Sequence, residues 1–221
     1  MIARVRNFLL LLTLMAPLAA RAHALDEYLQ AVLVAISAGE IRFSINLTPG
    51  VAVADQVLAL IDRDHDGIIS TNEARAYAEL LKHDLSAKLD QRDLELKVEA
   101  CNFPETNELR TGWGIIQVEF SAKIDSLAGG PHRLEFENRH KPAASVYLFN
   151  ATQPQSDSIQ IAKQIRNKTQ SRGEIIFEYR APPQRSSIGP ALASLAALAV
   201  IVIAGRRQVG NRRKSAAPGR F

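Results

Sequence analysis

Polar and apolar positions alternate over much of the chain, and the exceptions are confined to a few stretches. Glu27 to Ala38 and Glu40 to Leu47 read as strands; in the second, Ile41, Phe43 and Ile45 are separated by polar neighbours, which puts them on one face of a pleated strand. Ala38-Gly39 between them predicts a hairpin. After Thr48 the period changes. Thr48-Pro49 has the form of a cap followed by a proline in the first helical turn, and Val53, Val57, Leu60 and Ile61 recur at helical spacing. A second helix is expected from Thr71 to about Lys82, with Tyr77, Leu80 and Leu81 on its apolar face.

Alternation then returns. Leu85, Ala87 and Leu89 are expected to face Leu94, Leu96 and Val98 across the turn Asp90-Gln91-Arg92-Asp93. Further strands are expected over 114–124, 133–138, 145–149, 158–165 and 174–179, with turn clusters such as Ala128-Gly-Gly-Pro131 between them. Many short strands around one helical insertion predict a mainly β protein, an antiparallel β-sandwich that carries a helix–loop–helix at 51–82.

Both ends of the chain carry a different signal. Arg4 and Arg6 precede an apolar run from Phe8 to Ala20, the pattern of a secretory signal peptide over residues 1–24, with cleavage after Ala22 or, preferably, Ala24. Residues 188–205 hold no charge, and Pro190 sits where a helix tolerates proline. Eighteen helical residues rise about 27 Å, enough for a hydrocarbon core. The basic tail 206–221 belongs on the cytoplasmic side by the positive-inside rule. A body over 25–180, a linker at 181–187 and one C-terminal transmembrane helix follow. The expected location is the inner membrane, single-pass, with the body periplasmic and the tail cytoplasmic. No LPxTG or Pro-Glu-Pro string precedes the helix, which favours a permanent anchor over a processed sorting signal.

Charge supports that division. The sequence has 27 Lys and Arg against 23 Asp and Glu, but the first 24 residues hold three basic residues and no acid. Residues 188–221 hold six more and again no acid, which leaves 25–187 with 18 basic and all 23 acidic residues, a net charge of −5. The basic pI belongs to the ends, and a mildly acidic body suits a cation better than nucleic acid. The one cysteine, Cys101, excludes an internal disulfide and is expected to act as a small buried apolar residue.

The clearest chemistry lies at 62–73, DRDHDGIISTNE. A hard divalent cation takes six to eight oxygens, and a coiled loop can supply them from alternate positions. Asp62, Asp64 and Asp66 occupy positions 1, 3 and 5, and Gly67 occupies the sharp turn at position 6. Ile68 offers its carbonyl, Ser70 its side chain directly or through a water, and Glu73 both carboxylate oxygens. That is the spacing of a calcium-binding EF-hand loop. Chance would produce it in on the order of one chain in ten thousand or fewer. Ser70 and Glu73 are also spaced as a capping box for the second helix. No second loop accompanies the first, so the site must work alone or pair between chains.

With its opening His23-Ala-Leu-Asp-Glu-Tyr-Leu-Gln30, the strand pair and this loop, the body resembles bacterial exported proteins with a single EF-hand. It is more loosely similar to the extracytoplasmic domain of HupE/UreJ-type proteins. The resemblance implies an exported β domain with a calcium loop and no activity. It also suggests, as the alternative, an accessory subunit of a membrane metal transporter or permease with a membrane-protein partner. No catalytic pattern is found: the five histidines form no HExxH or zinc spacing, and no nucleophile elbow, P-loop or dinucleotide fingerprint occurs. His65 falls at a non-ligand loop position, and His132 and His140 are expected to be ordinary surface histidines. The sequence thus predicts a non-enzyme whose partners are calcium and the membrane.

Overall fold

The computed structural model describes residues 26–181. The expected signal peptide, membrane helix and tail, and all of the linker beyond Ala181, lie outside the described residues. Among the described residues, no helix is long and apolar enough to cross a membrane.

The body is mainly β, built from two five-stranded sheets. One contains β1 (Tyr28–Ile36), β2 (Glu40–Pro49), β5 (Lys97–Asn102), β6 (Ile116–Lys123) and β8 (Ser145–Ala151), in the order β5-β6-β2-β1-β8. The other contains β3 (Leu85–Leu89), β4 (Arg92–Asp93), β7 (Gly130–Asn138), β9 (Ile159–Arg166) and β10 (Arg172–Tyr179), in the order β4-β3-β7-β10-β9. Alternation places Ile41, Phe43, Ile45 and Leu47 of β2 and Leu134 and Phe136 of β7 on the inner faces, all buried. Phe43 stacks on Phe136 across the gap at 5.2 Å, and Phe136 on Phe149 of β8 at 5.7 Å, so one aromatic column joins the sheets.

Three expectations need correction. The first sheet is mixed, because β8 runs parallel to β1 over Tyr28–Val34. The chain enters β8 by crossing from β7 in the opposite sheet, so no hairpin imposes reversal. The expected hairpin after Leu85 closes sooner, pairing Lys88 with Asp93 and Leu89 with Arg92 around a two-residue turn. Asp90 and Gln91 both have positive φ there (48° and 69°), the geometry that matches strand twist in a tight hairpin. The chain then leaves for the other sheet, and β5 pairs with β6 instead. Lastly, Thr48 and Pro49 end β2, and Gly50 is the residue at the helix start.

Helix α1 (Val51–Ile61) buries Val53, Val57, Leu58 and Ile61; α2 (Thr71–His83) buries Ala74, Tyr77, Ala78 and Leu81. Both faces join the same core as the sheets. A short helix, α3 (Thr106–Arg110), lies between β5 and β6 and was not legible in the sequence. Cys101 is half-buried and packs against the core. Strand β8 forms an edge of its sheet, and side chains occupy its outward groups. The Gln164 amide oxygen accepts from Ala151 N–H at 3.0 Å, and Arg166 Nε donates to the Phe149 carbonyl at 2.5 Å. Such capping blunts an edge that could otherwise recruit another strand.

Candidate metal centre

The loop between α1 and α2 is organised by its own carboxylates. Asp62 Oδ2 accepts from Gly67 N–H at 3.0 Å, Asp64 Oδ1 from Asp66 N–H at 3.2 Å, and Asp66 Oδ1 from Ile68 N–H at 2.7 Å. Each bond fixes one oxygen of a carboxylate and turns the side chains toward a common centre. One carboxylate oxygen from each of the three aspartates lies within 4.8 Å of the others. Gly67 makes the turn with φ +84°, which a Cβ would disfavour, and His65 beside it has φ 61°. His65 is exposed, as the loop spacing predicts.

Glu73 closes the loop from the first turn of α2. Its Oε1 accepts from Arg63 N–H at 2.7 Å, and its Oε2 accepts from Ser70 N–H at 3.0 Å and Ser70 Oγ at 2.7 Å. In return, Ser70 Oγ accepts from Glu73 N–H at 3.3 Å, so the capping box is complete. The Ser70 hydroxyl and N–H, followed by Arg63 N–H, hold the Glu73 carboxyl down at about 2. Glu73 is therefore committed to the helix cap: Oε2 already accepts two bonds, and Oε1, which accepts one, keeps a lone pair.

Asp62 is the residue of the loop most in need of a counter-charge. This side chain is only 5% exposed, and among the described residues its Oδ1 has no hydrogen-bond partner. A buried carboxylate oxygen without a partner, in a cluster of three carboxylates, is costly, and a cation is one arrangement that offsets that cost. Among the described residues the carboxylate cluster consists of Asp62, Asp64 and Asp66 and does not include Glu73; its oxygens suit a hard divalent ion, and it offers no sulfur or imidazole for a softer one.

The loop also leans on a segment that sequence reasoning missed. Thr106 Oγ1 of α3 donates to the Gly67 carbonyl at 2.8 Å, and a groove lined by Ile68, Ile69, Phe103 and Thr106 separates the two. Ile69 packs into the core, while Ile68 is 69% exposed. Within one chain, the Phe103–Thr106 stretch braces the face of the loop beside Gly67.

Two histidines expected at the surface are not free there. His132 Nδ1 bonds Asp90 Oδ2 at 2.6 Å and its Nε2 bonds the Ala128 carbonyl at 2.7 Å. Both ring nitrogens are occupied. His140 is fully buried. His132 lies on the inward face of β7 with Leu134 and Phe136, His140 lies just past the strand, and nothing local in the sequence marks their partners. No protein-family model, curated protein or solved structure matches this chain.

Proposed function

We propose that this protein is a calcium-binding module in which one ion, held by Asp62, Asp64, Asp66, Ser70 and Glu73 and the carbonyl of Ile68, braces a helix–loop–helix against a β-sandwich. The observation that carries this reading is the buried Asp62 carboxylate, whose Oδ1 has no partner among the described residues and which clusters with Asp64 and Asp66. The ion would cancel the repulsion of clustered carboxylates and lock α1 to α2. Its role is structural or recognitive; no step of catalysis is assigned to it. The basic start with its apolar run and the uncharged stretch 188–205 support an exported body tethered to the inner membrane. In that setting a site of ~10⁻⁴ to 10⁻³ M affinity would be sufficient.

The test is calorimetric titration of the full chain with calcium, magnesium and nickel, paired with thermal melts. Calcium should raise the melting temperature and Glu73→Ala should remove the rise. Identical melts in calcium and in chelator would refute the reading.

A further inference from the structure

A line of buried polar side chains runs from the sandwich to the C-terminal end of α2. Tyr28 and Tyr77 share a hydroxyl–hydroxyl bond of 2.6 Å, Tyr77 Oη lies 2.9 Å from His140 Nε2, and His140 Nδ1 lies 2.7 Å from Asp84 Oδ2. Tyr28 belongs to β1, Tyr77 to α2, Asp84 caps α2, and His140 lies just after β7. The backbone of His140 is pinned as firmly as its ring. Its carbonyl accepts from Gln30 Nε2 at 2.9 Å, Tyr147 Oη at 2.8 Å and Ser145 Oγ at 3.1 Å. Its N–H donates to Asn138 Oδ1 at 2.9 Å.

The direction of the bonds follows from the end of the line. Asp84 can only accept, so Nδ1 carries the proton and Nε2 of the neutral ring accepts from Tyr77. Tyr77 oxygen then accepts from Tyr28, and every proton has a partner. Adding a proton to Nε2 reverses the line: Nε2 donates to Tyr77, Tyr77 donates to Tyr28, and the Tyr28 hydroxyl proton is left over. Among the described residues Tyr28 Oη has no partner besides Tyr77. A buried donor without an acceptor is what folded proteins avoid.

We propose that this line is a proton-sensitive latch on the calcium site: neutral His140 clamps α2 to the sandwich, and its protonation releases α2 and weakens calcium binding. The proposal rests on the calcium reading above and assigns the regulation of that site. The mechanical link is α2 itself. Glu73 in its first turn is a ligand, and Tyr77, four residues on, is the clamped residue, so both ride on one rigid turn of helix. Looser seating of α2 makes the Glu73 carboxylate less preorganised for the ion. The groups facing His140 are Asp84 and Tyr77 from α2, Tyr28 from β1, Tyr147 from β8, and its chain neighbours Arg139 and Lys141. Of these, Arg139 turns its guanidinium to Glu137. Burial, only partly offset by Asp84, keeps the ring below the ordinary histidine value, and Lys141 adds to that. The ring is therefore neutral at pH 7, and the latch opens on acidification.

The experiment measures calcium affinity of the full chain by calorimetry at about pH 7.5 and about pH 5.5, a window above the range of ordinary carboxyls. His65 lies within the loop, so the parent for all measurements carries His65→Asn, a residue that tolerates positive φ. The parent should lose affinity as the pH falls through the His140 midpoint read by NMR, by linkage of proton and ion binding. His140→Asn should flatten that dependence. Asp84→Asn, at a half-exposed position, keeps an acceptor but removes the charge, and should move the midpoint to lower pH. Reciprocally, the His140 ring titration followed by NMR should move to lower pH when calcium is added. Equal pH dependence in parent and variants, with a His140 midpoint indifferent to calcium, would overturn the latch and leave the calcium site standing. No calcium uptake at any pH would remove both.

Discussion

Asp62→Asn should have opposite effects with and without calcium. The wild-type side chain is buried with Oδ2 bonded to Gly67 N–H and Oδ1 unpartnered, so in chelator it carries an uncompensated polar atom beside two like charges. Leaving such an atom unpaired costs about 1–3 kcal/mol, and more when it is charged. The amide of asparagine keeps an oxygen for Gly67 and removes one charge from the carboxylate cluster. Repulsion is relieved, so the calcium-free variant should be more stable than wild type by about 1–3 kcal/mol. For a body of this size each kcal/mol moves the melting temperature by about 2–4 °C, giving a rise of roughly 2–12 °C in chelator. With calcium the order should invert. An ion at a hundredfold over its Kd contributes about 2.7 kcal/mol to wild type, and the variant forfeits most of that with the lost charge and ligand. Scanning calorimetry in chelator and in calcium at a hundredfold over the Kd read by titration, on the order of 10–100 mM for a site of that class, reads both arms. A variant less stable than wild type in both conditions would refute the claim that the burial of Asp62 is arranged for a cation.

Two further predictions concern the frame. Gly173→Ala on β10 places a Cβ 2.1–2.6 Å from ring carbons of Phe149, the end of the aromatic column. Displacing that ring should cost about 1–3 kcal/mol or more, read as a fall in the denaturation midpoint. For His132, burial lowers the ring's proton affinity, but the bonds to Asp90 and the Ala128 carbonyl and the charge of Asp90 outweigh it and the net shift is upward. Its contribution to stability is then complete below about pH 6.5 and is lost as pH rises through the raised folded value. NMR titration should show that midpoint falling in Asp90→Asn; an unchanged midpoint would refute the pairing.

The loop from Asp62 to Glu73 was readable in sequence because its residues are contiguous, and its shape is set by local bonds and by one glycine at φ +84°. The capping box was readable for the same reason. Strand faces followed from a period of two that needs no knowledge of partners, as in β2, where Ile41 to Leu47 bury every second residue. Pairing was another matter. Parallel alignment of β8 on β1 and the passage of β5 to the opposite sheet depend on where the chain crosses between layers, which side-chain alternation does not encode. The burial of Asp62 Oδ1 likewise emerges only when helices and sheets close over it.

His140 makes the division plainest. Read along the chain, it is a polar residue in a loop near a charged strand. In the fold it sits in the core, joined to Tyr77 and Asp84 from 63 and 56 residues away. Sequence determined the short-range structures, whose energies depend on neighbours a few residues apart. Tertiary structure decided which polar groups would be stripped of water together, because desolvation depends on everything that surrounds a group and not on what precedes it in the chain.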